Sequence, residues 1–187
     1  MKIYELGSDL KNYSHFFQDY PYPTGESSII GKAMEQRWKP FGKEYKQITL
    51  DLASDEFGRK NYKFDFSGFL GTFFVISQKM LDKMEHVLSC RGEVLPVTTR
   101  SKRKKFFGYY PTNALSGCLD KDNSEYNEYP KGLIIEKIVL LKNKISDDYL
   151  FSIEEDISRV FVTEKFKALV EKFDLQGFDF SKEVELS

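Results

Sequence analysis

The chain has 187 residues, of which 41% are hydrophobic, 16% aromatic and 30% charged, and its formal net charge is −1. This composition is globular and not disordered, and it lacks the strong positive field expected of a general nucleic-acid binder. At this size about 70% of the extended surface can be buried, so a core can form without metals or disulfides.

Only Cys90 and Cys118 carry thiols, and the start from Met1 to Leu6 has none of the apolar stretch of a signal peptide. No apolar run reaches the length of a membrane span. A cytoplasmic protein with reduced thiols and no membrane partner is expected, folded as one domain or as two small lobes.

Lys2 to Leu6 suits a short strand. "HFFQDYPYPTGESS" reads as an ordered loop, because its prolines and glycine are turn formers. "MEQRWKPFGKEY" ends in a turn near Pro40 and Gly42. Ile48, Leu50 and Leu52 alternate as a strand does. Phe73 to Ile76 form a continuous apolar run, the pattern of a short buried strand.

Ser77 is a good N-cap, and Met80, Leu81, Met84, Val87 and Leu88 follow at helical spacings. Gly92 closes that helix, and Glu93 to Val97 resume as strand. Beyond the basic run from Arg100 to Lys105, aromatics mix with turn formers. Leu133 to Ile145 and "YLFSIEED" read as strands, the second stopping at an acidic turn.

Near the C-terminus the first pattern recurs. Val160 to Val162 form a short strand. Thr163 stands as N-cap with Glu164 in the first turn, where an acid is favoured. Phe166, Leu169, Val170 and Phe173 form the stripe, Gly177 closes it, and Phe178 to Phe180 resume as strand. Setting Ser77 on Thr163 also sets Met80 on Phe166 and Met84 on Val170. The expected fold class is therefore α+β, with mixed or antiparallel sheets and two similar strand–helix–strand units at about 74–97 and 160–180. Internal duplication and convergence both account for the likeness.

Catalysis needs positioned groups that transfer protons, attack or stabilise charge, and here the inventory is thin. His86 lies near the end of the first helix, where the dipole favours it. His15 precedes two phenylalanines in an irregular stretch. The cysteines have no paired spacing, so a zinc site has no local support. Asp120, Asp122 and Ser124 loosely fit the opening of a calcium loop, but Glu125 stands where the glycine is required. A hydrogen-bonded turn is the better reading. No catalytic residue, metal or cofactor is expected.

Two charged runs suit partners. "RSKRKKFFGYY" pairs cations with aromatics, as a nucleic-acid site would, and equally suits a solvated loop or a protein contact. Asp147, Asp148, Glu154, Glu155 and Asp156 form an acidic group able to steer a basic partner. Trp38, between Arg37 and Lys39, is a candidate interface anchor; its other reading is a core residue.

Three stretches together carry a resemblance. They are "FVISQKMLDKME" with "GEVLPV"; "YYPTNALSGCLDKDNSEY"; and "LFSIEE" with "RVFVTEKFKALVEKFDLQGFDF". In order and spacing the chain resembles the Imm11 (DUF1629) family of bacterial immunity proteins, over about Phe73 to Phe180. The motif positions are Ser77, Tyr109, Tyr110, Asn113, Cys118, Asp120, Ser124, Thr163 and Gly177. Ser152 departs from the pattern, standing where a basic residue is expected.

The resemblance implies a non-enzymatic protein that binds a cognate toxin, encoded by the adjacent gene, and covers its active region. It also implies an immunity domain at 71–187, with 1–70 a variable part packed upon it. The candidate toxin contacts are Arg37, Trp38, Lys39, Asp147, Asp148, Glu154 and Glu155. The motif residues, with Asp120 and Ser124 pinning the central loop, are assigned to structure.

Overall fold

The computed structural model describes residues 1–19, 27–130, 132–145 and 148–187. In chain order the first half holds β1 (Ile3–Glu5), β2 (Gly7–Ser8), β3 (His15–Phe17), α1 (Ile29–Gln36), β4 (Ile48–Ala53), β5 (Phe66–Ser67), β6 (Phe74–Ser77), α2 (Gln78–Leu88) and β7 (Gly92–Thr99). The second half holds β8 (Phe106–Pro111), β9 (Ala114–Leu115), β10 (Glu125–Tyr129), β11 (Gly132–Lys137), β12 (Val139–Leu140), β13 (Leu150–Ile153), β14 (Asp156–Thr163), α3 (Glu164–Lys172), β15 (Phe178–Asp179) and β16 (Glu185–Leu186).

Among the described residues the protein is mostly β, 38% strand against 19% helix, with a nearly closed six-stranded sheet, so the α+β expectation is corrected. Six strands form a sheet in the order β3-β4-β7-β8-β6-β5. Its two edges nearly meet: the Phe16 N–H of β3 donates to Ser67 Oγ of β5 at 3.1 Å. This barrel-like closure protects edges that would otherwise stand open. Inside, the Phe16 ring meets Phe64 and Phe106 edge-on at 5.4 and 4.9 Å.

The two strand–helix–strand units are not equivalent. β6 and β7 share the six-stranded sheet, but β8 runs between them. β14 belongs to a second sheet, β1-β14-β13-β9, whereas β15 leaves it to pair with β2. The helix stripes are real: Met80, Met84, Val87 and Leu88 are buried on α2, and Phe166 and Val170 on α3. What differs is where the chain goes after each helix.

The second sheet is covered on both faces, which explains its unbroken apolar strands. Tyr4, Leu150, Val160 and Val162 face the main core. Their neighbours Ile3, Phe151 and Phe161 face a smaller core completed by Cys118, Leu119, Leu140 and Val184. Successive residues point to opposite faces, so one run such as Val160–Val162 feeds both cores. The hairpin β10–β11 lies on the smaller core through Ile135, with Tyr126 and Leu133 packed beside it.

Candidate partner-binding surface

The motif residues lie in the joints of the scaffold. Ser77 Oγ accepts the Met80 N–H at the start of α2 and donates to Asp65 Oδ1 at 2.7 Å. Thr163 stands before α3 but makes no side-chain cap; its hydroxyl donates to the Asp148 carbonyl at 2.6 Å. Tyr109 donates to the Leu88 carbonyl at the end of α2. Asn113 Nδ2 bridges Asp148 Oδ2 and the Leu150 carbonyl. Asp120 accepts the Asp122 and Asn123 N–H groups, and Ser124 Oγ exchanges hydrogen bonds with the Val139 backbone. Gly177 has φ +101°, and a Cβ there would strike the Phe66 carbonyl oxygen.

Trp38 is a core residue, 5% exposed, and not a surface anchor. α1 ends with Arg37 and Trp38 both left-handed, at φ 46° and 67°. Because the Arg37 N–H turns back to the Met34 carbonyl, Ala33 loses the i+4 donor a continuing helix would supply. The Tyr110 hydroxyl fills that gap: it donates to Ala33 O and accepts the Trp38 N–H, both at 2.8 Å. The indole N–H then donates to the Ile153 carbonyl at 3.1 Å, and the Trp38 and Tyr110 rings stack. Arg37 and Lys39, flanking it, are exposed.

The acidic group divides. Asp148 is half-buried, ion-paired with Arg91 and bonded to Asn113, so it belongs to the scaffold. Asp147 lies outside the described residues. Asp156 is buried and paired with Arg159 at 2.8 Å. Glu154 and Glu155 form the turn between β13 and β14, Glu154 exposed and Glu155 half-buried. Ser152, the departure from the family pattern, is fully buried, and its hydroxyl has no hydrogen-bond partner among the described residues.

The basic run is partly turned inward. Lys104 Nζ meets Asp65 Oδ1 at 2.7 Å and the Phe64 carbonyl at 2.6 Å; Arg100 pairs with Asp51. Asp65, 2% exposed, is a joint that sequence reasoning missed. It also accepts the Gln176 N–H at 3.1 Å, tying β5, α2, the basic loop and the C-terminal stretch together. Burial pushes its pKa up, but hydrogen bonds from Lys104, Ser77 and Gln176 outweigh that and hold the carboxyl below its ordinary range.

No group of three or more His, Cys, Asp and Glu able to hold a metal occurs among the described residues. Cys90 Sγ meets the His86 and Val87 backbone carbonyls and the Arg91 guanidinium. Cys118 is buried. No helix among the described residues is long and apolar enough to cross a membrane.

Arg37, Glu154 and Glu155 do come together. They line an open groove of about 590 Å³ with Met34, Leu133 and Ile157. One wall is the hairpin β10–β11, whose Tyr129 and Ile134 are 54% and 57% exposed. Sequence reading missed this hairpin, leaving its first strand among the aromatics and turn formers beyond the basic run. The available signal was Pro130 to Gly132, turn formers between two segments with strand character.

The chain matches no curated protein. Residues 3–185 match the Immunity protein family (Imm11), nearly the whole chain and well beyond the stretch that carried the resemblance, and the chain belongs to that family.

Proposed function

We propose that this protein is an antidote in a bacterial polymorphic or contact-dependent toxin system. It binds a cognate toxin in the cytoplasm and covers the toxin's active region, without catalysis of its own. The observation that carries this reading is family membership along nearly the full length, residues 3–185. The scaffold suits tight binding. Polar joints such as Asp65 and Tyr110 are tied inside, which favours a pre-organised scaffold and a low ordering cost on binding.

The test is co-expression with the C-terminal domain of the protein encoded immediately upstream, purified on one tag. A stoichiometric complex is expected, together with rescue of growth from that domain's toxicity. If neither complex nor rescue appears, the reading fails.

A further inference from the structure

We propose that the groove between the β10–β11 hairpin and the β13–β14 turn is where the partner docks. Its occupant is a surface segment of the toxin that presents a basic side chain beside apolar ones. This rests on the toxin-binding reading above.

The groove is built from three separate chain segments. The end of α1 supplies Met34 and Arg37, the hairpin supplies Leu133 and Ile135, and the β13–β14 turn supplies Glu154 and Glu155. At about 590 Å³ it falls within the roughly 300–1,000 Å³ of sites that enclose a substantial group. The exposed Tyr129 and Ile134 extend the apolar surface along the hairpin. An aromatic and an aliphatic side chain held on a β-ribbon suit the core of an interface.

Charge fixes the sign of the partner. Arg159 is already engaged by Asp156 at 2.8 Å, by the Ile135 carbonyl at 2.7 Å and by Glu5 at 3.7 Å. Lys121 stands 3.8 Å from Glu128 and over the Tyr126 ring. Arg37 lies toward the hairpin turn, its Nη2 3.8 Å from where a Cβ on Gly132 would stand. Of the groove's other acids, Glu154 is exposed, and Glu155 Oε2 is buried without a hydrogen-bond partner among the described residues. An exposed carboxylate at the mouth of the groove, such as that of Glu154, is complementary to an incoming ammonium or guanidinium. Glu136, exposed on the hairpin, extends the negative rim and favours encounter with a basic surface.

The experiment measures the complex of the full chain with the C-terminal domain of the upstream-encoded protein, by binding kinetics and by hydrogen exchange. Three variants are compared: E154K/E155K, I134D, and K102E/R103E on the basic loop. Ile134, Lys102, Arg103 and Glu154 are exposed, so changes there leave melting temperatures near that of wild type, whereas Glu155 is half-buried. The milder E154Q supplies a second reading should the double variant fold poorly.

The expected result is a tenfold or greater loss of affinity for E154K/E155K and I134D. The charge variant should also bind more slowly at low salt, while K102E/R103E binds as wild type does. Protection from exchange should fall on residues 129–135 and 154–158. Wild-type affinity in the groove variants, or protection centred on the basic loop, overturns the groove assignment and leaves the toxin-binding reading standing. A wild-type chain that forms no complex overturns both.

Discussion

Replacing Tyr110 with phenylalanine removes one oxygen atom and keeps the ring, so it isolates the hydroxyl without opening a cavity. That hydroxyl donates to Ala33 O and accepts from Trp38 N, each at 2.8 Å. The rings of Tyr110 and Trp38 are buried, at 0% and 5% exposure, so water cannot readily replace the lost partner. Each buried backbone group left unpaired costs about 1–3 kcal/mol, giving a ceiling of about 6 kcal/mol. Relaxation limits the loss, because Trp38 sits at φ +67° and a left-handed non-glycine residue carries about 1–2 kcal/mol of strain. Freed from its tether, Trp38 recovers part of that strain. The expected destabilisation is about 2–4 kcal/mol, or roughly 5–15 °C in melting temperature for a chain of this size. Urea unfolding followed by fluorescence is the assay. Trp38 is the sole tryptophan and stacks on Tyr110 with ring centroids 6.1 Å apart, so the signal comes from the perturbed place. Tyr109→Phe removes one buried bond, to Leu88 O, and should cost less, about 1–2 kcal/mol. A Tyr110→Phe protein within 0.5 kcal/mol of wild type, on the scale where a typical net hydrogen bond is about 1 kcal/mol, refutes the account of how α1 ends.

Asp65→Ala leaves Ser77 Oγ and the Gln176 N–H without their acceptor and Lys104 without its counter-ion, and should cost about 2–4 kcal/mol in denaturant melts. Because the Asp65 carboxyl is held below its ordinary 3.8, its contribution is present above about pH 4 and lost as pH falls; acid melts of wild type and Asp65→Asn should converge at low pH. Burial raises the hydroxyl pKa of Tyr110 and of Tyr45 from 10.0 to about 12, and raises that of Tyr109 further. Their neutral forms are the folded forms, so stability should be full below pH 10 and decline as pH climbs through 12; an unchanged denaturation midpoint across that window would contradict their burial. Gly177→Ala places a Cβ against the Phe66 carbonyl at a positive φ and should cost about 2 kcal/mol or more by urea melt, with Gly58→Ala, at φ +74° in open space, as the milder control.

Helix signals are legible in the sequence because they are local. Ser77 before a Met-rich stripe marks α2, and Thr163 before Phe166 and Val170 marks α3; the elements begin there. α1 escapes notice, although Ser28 caps it by accepting the Gly31 N–H, because eight residues containing a glycine give a short stripe. The fold class is misread for a related reason. β2, β5, β9 and β16 are two residues long, and a period of two cannot be read from two residues. Their pairing comes from distant partners, such as β12 with β16.

The site residues divide on the same principle. Asp147 to Asp156 are close in sequence and read as one acidic patch, yet Asp148 turns inward to Arg91 while Glu154 and Glu155 reach the groove. What separates them is a partner 57 residues away, which composition cannot reveal. Trp38 between two cations reads as an anchor, but Tyr110, 72 residues on, draws it inside. Arg37 remains outside because the left-handed turn that buries Trp38 points its neighbour the other way.

This division bears on how an antidote can change partner without losing its fold. The costly interactions sit at Asp65, Tyr109, Tyr110 and Asp148, which bond backbone or buried groups across the chain. The hairpin is joined to the rest mainly by Ile135, Tyr126 and Leu133 on the lesser core, by Lys137 paired with Glu185, and by Arg159 on the Ile135 carbonyl. Tyr129, Ile134, Glu128 and Glu136 are exposed and take no part in those joints. Substitutions at such positions ordinarily change stability by no more than about 0.5 kcal/mol, whereas a central interface residue can change affinity by about 2 kcal/mol or more. Affinity can therefore be retuned at the groove at little risk to folding, and the same separation makes the groove variants informative about binding.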